Sequence, residues 1–135
     1  MEKILAALTL CALAAGCVTP PTWDQLAAAD YGSYPSDYEQ IIKGYMQFVL
    51  KDPESARFQF LNTPKSGWRS FGEIKFGYVV CAHINAKNSY GGYVGNRMSY
   101  FMLKNGRVID AVHGSEQYGE AVVSNLCKNF IGSST

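Results

Sequence analysis

No stretch of this chain is apolar for long enough to cross a bilayer as a helix, which takes about 20 residues. The longest apolar run, Ile4 to Gly16, has 13 residues, a length that suits the core of a secretory signal instead. Charge of one sign is also missing. Lys and Arg number 12 against 11 Asp and Glu, with no run of either. That leaves no basic footprint for nucleic acid and no polybasic patch for anionic lipid. Histidine occurs twice, and neither CxxC nor HxxxH spacing occurs, so no metal site is expected. The run Gly91-Gly92-Tyr93-Val94-Gly95 lacks both the GxGxxG pattern and the lysine of a phosphate loop, and it joins strands instead of opening a helix. Carboxylates are scattered, so no glycosidase-type pair can be nominated, and no cofactor is expected.

What is present begins at the N-terminus. Met1-Glu2-Lys3 carries a weak positive charge, the apolar run follows, and Ala14, Ala15 and Gly16 are small enough for a peptidase cleft. Cys17 comes directly after them. Leu13-Ala14-Ala15-Gly16-Cys17 resembles the bacterial lipobox, with one departure: Ala14 stands where leucine is usual, and Leu13 is one place earlier. The resemblance implies removal of residues 1–16, a diacylglycerol on the Cys17 thiol and acylation of the new N-terminus. Two or three chains exceed what stable anchoring requires. Val18 follows where an aspartate would direct inner-membrane retention in enterobacterial lipoproteins. The expected location is therefore the periplasmic face of the outer membrane, with the inner membrane as the lesser alternative. An ordinary signal peptide, with Cys17 as a disulfide partner, is the competing reading.

Cleavage after Gly16 leaves 119 residues, enough for one domain with a modest core. Residues 17–35 read as a lipid-anchored tether and residues 36–135 as a single domain. With Cys11 removed and Cys17 lipidated, Cys81 and Cys127 remain. Two thiols in an oxidising compartment most often pair, and two buried free thiols are the alternative. A bridge closing 46 residues is worth about 4 kcal/mol in the chain-entropy treatment.

Along the chain, Thr22 is placed to cap a short helix over residues 23–30. Ser36 and Glu39 have capping-box spacing, and Tyr38, Ile41, Ile42, Tyr45 and Val49 recur at helical intervals. Pro53 is expected to stop that helix, and residues 56–61 to form a first strand. Residues 62–72, with Pro, Ser, Gly and Trp68, read as a loop. From Glu73 to Lys87 the period becomes two. Ile74, Phe76, Tyr78, Val80, Ala82 and Ile84 share one face, and Lys75, Val79, Cys81, His83 and Asn85 the other. Residues 98–104 and 107–112 form two more strands around Asn105-Gly106, a strong hairpin signal. A plain two-residue turn there pairs Met102 with Ile109 and Tyr100 with Ala111. Ser115 opens a last helix with a stripe of Tyr118, Val122, Leu126 and Phe130, Val123 and Cys127 lying beside it. The expected architecture is α+β: about four mostly antiparallel strands flanked by an N-terminal and a C-terminal helix, with a Cys81–Cys127 disulfide.

Catalytic chemistry has little to work with. His83 shares a strand face with Cys81, an arrangement open to a thiol nucleophile and its base, but an exported cysteine with one obvious partner is more often bridged. Asp110 and His113 are an odd number of strand residues apart and point oppositely. Structural histidine is the better reading of both His83 and His113, and the protein is read as no enzyme.

The most distinctive stretch is Val80-Cys81-Ala82-His83-Ile84-Asn85-Ala86-Lys87-Asn88-Ser89-Tyr90-Gly91-Gly92-Tyr93-Val94-Gly95, with Asp52-Pro53-Glu54-Ser55-Ala56-Arg57-Phe58 upstream. Over residues 50–101 the chain resembles a group of small, largely uncharacterised bacterial proteins, many exported or lipid-anchored. Ala82 stands where that group usually has glycine. The resemblance implies no particular activity, catalytic residue or ligand. Physically, Gly91, Gly92 and Gly95 permit positive φ, and Asn85, Asn88 and Asn96 can hydrogen-bond the local backbone. Tyr90 and Tyr93 are of the type enriched in recognition surfaces. Two readings stand: a structural connection whose aromatics fold back on the core, and a binding loop of Asn88, Tyr90, Gly91, Gly92, Tyr93 and Gly95. The expected partners are the membrane, through the N-terminal lipid, and a protein or envelope component, with no nucleic acid. The roles weighed are a free-standing binder, an accessory scaffold of an envelope or secretion machine, and an inhibitor or immunity-type lipoprotein.

Overall fold

The computed structural model describes residues 19–115 and 119–132. The signal segment, Cys17 and Tyr118 lie outside the described residues. Within them are helices α1 (Trp23–Ala27), α2 (Tyr38–Met46) and α3 (Glu120–Cys127). The strands are β1 (Asp52–Phe60), β2 (Lys65–Phe71), β3 (Glu73–Lys87), β4 (Arg97–Lys104) and β5 (Arg107–His113). All pairings among these strands are antiparallel. The class is α+β, with a Cys81–Cys127 disulfide whose Cα atoms are 6.1 Å apart.

β3 is the centre of the sheet. Its 15 residues are long enough to take two partners end to end on one edge. β1 pairs with its C-terminal part and β2 with its N-terminal part, while β4 lies along the opposite edge and β5 follows β4. The period-two pattern of β3 becomes two cores. Val80, Ala82 and Ile84 meet Ile42 and Met46 of α2, together with Phe101 and Leu103 of β4. Val79 and Cys81 meet Val123 and Cys127 of α3, together with Tyr100 and Met102. Residues 79–82 are buried without interruption, because a helix covers each face.

Several details depart from the pattern read in the sequence. The sheet has five strands, since β2 lies in the stretch expected to be a loop. Gly67 makes room for it: a Cβ there would fall 2.8 Å from the ring of Phe130 and 2.9 Å from Val79 Cγ2, so glycine lets the chain pass beneath that ring without displacing it. The α2 cap is Asp37, not Ser36, and no side chain caps the helix. Ser36 is taken into a turn in which Tyr38 N–H donates to Pro35 O at 3.1 Å, and Glu39 pairs with Lys43 along the helix instead. The helix ends at Met46 in turns rather than at Pro53. Pro53 belongs to β1, an edge strand where its missing N–H is tolerated, and a bulge between Asp52 and Arg57 absorbs the irregularity.

At the β4–β5 hairpin, Asn105 (φ 50°) and Gly106 (φ 75°) both take positive φ, as a primed two-residue turn demands. The expected register holds for only two pairs. After Leu103–Val108 one extra residue on β5 shifts the pairing to Met102–Asp110, Phe101–Ala111 and Tyr100–Val112. α3 begins at Glu120 behind Gly119, not at Ser115. The disulfide fixes its rotation, so Val123 and Cys127 face the sheet and Val122 is left 51 % exposed.

Residues ahead of α2 lie on the sheet. The ring of Tyr31 meets Phe76 edge-on at 5.7 Å and that of Tyr34 meets Tyr78 at 5.5 Å. Asp30 lies 3.6 Å from the Lys104 ammonium, and the Gly32 N–H it accepts, with Lys104, holds its carboxyl below the usual carboxylate range. α1 carries the expected Thr22 cap as a complete capping box.

Candidate functional site

β3 and β4 are joined by residues 88–96, the tyrosine- and glycine-rich connection. Its conformation comes from asparagine side chains standing in for strand partners. Asn88 Oδ1 accepts from the N–H groups of Tyr90 and Gly92 at 3.0 and 3.2 Å. The Asn88 backbone N–H donates to Gly92 O at 2.8 Å. Asn85 Oδ1 accepts from Gly95 N–H at 3.0 Å. Gly91 and Gly95 take φ of 80° and 92°, where a side chain would be strained. Gly92 needs no such angle, and a Cβ there would meet Asn88 Oδ1 at an ordinary 3.9 Å.

The two tyrosines of this connection have different surroundings. Tyr93 bridges back to Lys87, and its hydroxyl donates to Ser55 O at 3.1 Å. Its ring lies 4.4 Å beneath the Arg57 guanidinium, with the Lys87 ammonium at 5.5 Å. It is 39 % exposed. Tyr90 is 96 % exposed and is held at the tip by the Asn88 turn. Tyr93, Asn88, Gly91 and Gly95 thus shape the connection, and Tyr90 is the aromatic it presents.

Ser55 anchors the arrangement, a role the sequence pattern did not single out. Its hydroxyl donates to Asp52 O at 2.7 Å and accepts from Lys87 N–H at 2.9 Å, tying the β1 bulge to the end of β3. Asn62 does a similar job in the gap between β1 and β2. Its amide donates to Val79 O at 3.0 Å and accepts from Cys81 N–H at 2.8 Å, closing two ladder groups that a continuous strand would have paired. The Asp-Pro-Glu-Ser spacing was a signal for Ser55; Asn62 has none, because its task exists only once two strands share one edge.

The remaining candidates are dispersed. Cys81 is bonded to Cys127 and has no thiol to offer. His83 pairs with Met98 on the α3 side of the sheet. His113 lies on the α2 side, its ring 5.5 Å from that of Phe101 and 6.2 Å from that of Tyr45. The two histidines are therefore on opposite faces. His113 Nδ1 shares a hydrogen bond with Ser99 Oγ at 3.2 Å, and burial lowers its pKa. Asp110 accepts from Arg69 Nη1 at 2.7 Å across the other face. Tyr100 lies beneath Arg69, and burial, aided by the Asp110 charge, pushes its hydroxyl pKa well up. Among the described residues no three His, Cys, Asp or Glu side chains come together as a metal site, and no helix is long and apolar enough to cross a membrane.

No family model, no curated protein and no solved structure matches this chain.

Proposed function

We propose that this is a lipid-anchored binding protein of the bacterial envelope, tethered through Cys17 at the periplasmic face of the outer membrane, that takes hold of a protein or envelope component with the connection between β3 and β4. It acts by binding, without catalysis. The observation that carries this reading is Tyr90, 96 % exposed on a turn whose backbone is held by the Asn88 side chain. A backbone held in place before contact loses little conformational freedom on binding, and buried tyrosines are frequent centres of binding energy. The rest of the connection is braced against β1, where Ser55 and Arg57 hold Tyr93.

A photoreactive phenylalanine analogue at position 90, with a second at the exposed Phe71 as control, tests the reading in intact cells. A discrete adduct from position 90 that is absent from position 71, and that untagged Tyr90→Ala protein competes for less well than the parent, is the expected result. Equal labelling from both positions, or competition unaffected by Tyr90→Ala, contradicts it. Mass spectrometry of the N-terminus tests the anchor separately: an acylated Cys17 is expected, and a free Cys17 or cleavage elsewhere refutes that half.

A further inference from the structure

We propose that an apolar pocket beyond the C-terminal end of α2 binds a small monocarboxylate, its hydrocarbon body inside and its carboxylate on Arg97. The pocket arises because α2 is short. The helix stops at Met46 while β3 runs on through Ile84 and Ala86, leaving the end of the apolar face uncovered by helix. The space is about 120 Å³, with Met46, Leu50, Ile84 and Ala86 among its walls and Val49 and Val94 half-exposed around it. An apolar cavity of ~150 Å³ stays dry and accepts benzene, so a body of about six carbons is the scale that fits.

Among the described residues, the polar side chains lining it come from β4 and β5. Arg97, Ser99 and His113 line the pocket, and among the described residues no acidic one does. Glu120 sits against Gly114 on one wall, but its carboxylate faces Met98 N–H at 3.2 and 3.3 Å. Arg97 forms no ion pair among the described residues. His113 is held towards its neutral form by burial, so among the described residues lining the space Arg97 alone brings a charge. That count matches a monoanion, leaves a phosphate dianion half-compensated and repels an amine. A guanidinium fork also suits a planar carboxylate.

Titrating the chain with hexanoate, 1-hexanol and hexylamine, read by backbone amide NMR shifts, tests this directly. Hexanoate should give saturable shifts at Ala86, Val94, Ser99 and Gly114. Hexanol should bind about tenfold more weakly, the effect of losing one charge-assisted contact, and hexylamine not at all. Arg97→Gln, at the rim and outside the apolar core, should bring hexanoate down to the level of hexanol, while Arg97→Lys recovers part of the difference. Ala86→Leu should fill the space and abolish binding of both, and the arginine variants give the answer even if that chain folds poorly. Tyr90→Ala should leave hexanoate binding unchanged, which separates this site from the loop. Equal binding of acid and alcohol, no effect of Arg97→Gln, or shifts confined to the far face, at residues such as Gly67, Trp68 and Leu126 between β2 and α3, overturns the proposal.

Discussion

On one face of the sheet α2 rests on Val80, Ala82, Ile84, Phe101 and Leu103 with no covalent tie, whereas on the other α3 is bonded to β3 through Cys81–Cys127. Both helices are well below the 12–15 residues at which an isolated helix becomes even marginal, so each exists only because it is docked. α2 does this with apolar contact. It buries Ile42 and Met46 fully, and Tyr38 and Tyr45 meet Phe60 and Phe101 edge-on at 5.5 and 6.2 Å. α3 has less to bury, with Val123 and Cys127 inside and Val122 turned out. The comparison shows a covalent link standing in for apolar area that α3 does not supply.

Four experiments break or sharpen that contrast. The largest effect is expected from Cys81→Ala/Cys127→Ala, which should cost about 4 kcal/mol by urea denaturation, with hydrogen exchange rising first in α3 while α2 stays protected. Uniform loss of protection on both faces contradicts the division of labour. Next, Ile42→Ala in the oxidised chain should cost about 3 kcal/mol and loosen α2 first; a cost under about 1 kcal/mol means α2 is not held by its buried face.

A smaller effect is expected at the connection. Tyr93→Ala removes a hydrogen bond and two cation–π contacts and should cost about 1 kcal/mol, while Tyr90→Ala should change stability by less than about 0.5 kcal/mol. Equal costs for the two tyrosines remove the distinction between brace and presented ring. Last is a pH effect from His113 on the α2 face, whose pKa is lowered by burial. Folding then favours the neutral ring. This stability is complete above the unfolded-state value of about 6.5 and is lost as pH falls through the lower folded-state value. Melting temperatures of the parent should fall on that acid side more steeply than those of His113→Gln, and identical slopes refute it.

Much of this arrangement was legible in residue order. β3 appears at its full extent, Glu73 to Lys87, because one face is apolar at every second residue from Ile74 to Ile84. Asn105-Gly106 announces its turn because few residues tolerate positive φ twice running. Thr22 announces α1 for a similarly local reason. What was illegible depended on distant partners. β2 is rich in the residues of loops, yet it is a strand because the exposed edge of β3 offers it a ladder and Gly67 clears room for Phe130. The shift in β5 register leaves no mark in a hairpin signal that concerns only the turn. Val122 and Val123 are equivalent by composition, and the Cys81–Cys127 bond decides which one faces inward.

The candidate site divides in the same way. Glycines, asparagines and tyrosines between β3 and β4 mark a shaped connection from sequence alone, since φ preference and side-chain hydrogen bonding are local properties. Which tyrosine braces it and which one is presented was decided by β1, some 35 residues earlier in the chain. The pocket beside Arg97 is more remote still from any motif, since it is the space left where a nine-residue helix ends before the strand it covers. Sequence by itself determined the strands that alternate, the turns that need special backbone angles and the cysteine spacing. Tertiary structure decided the edges, the registers and the exposed surface, because those depend on groups that meet only after the chain has folded.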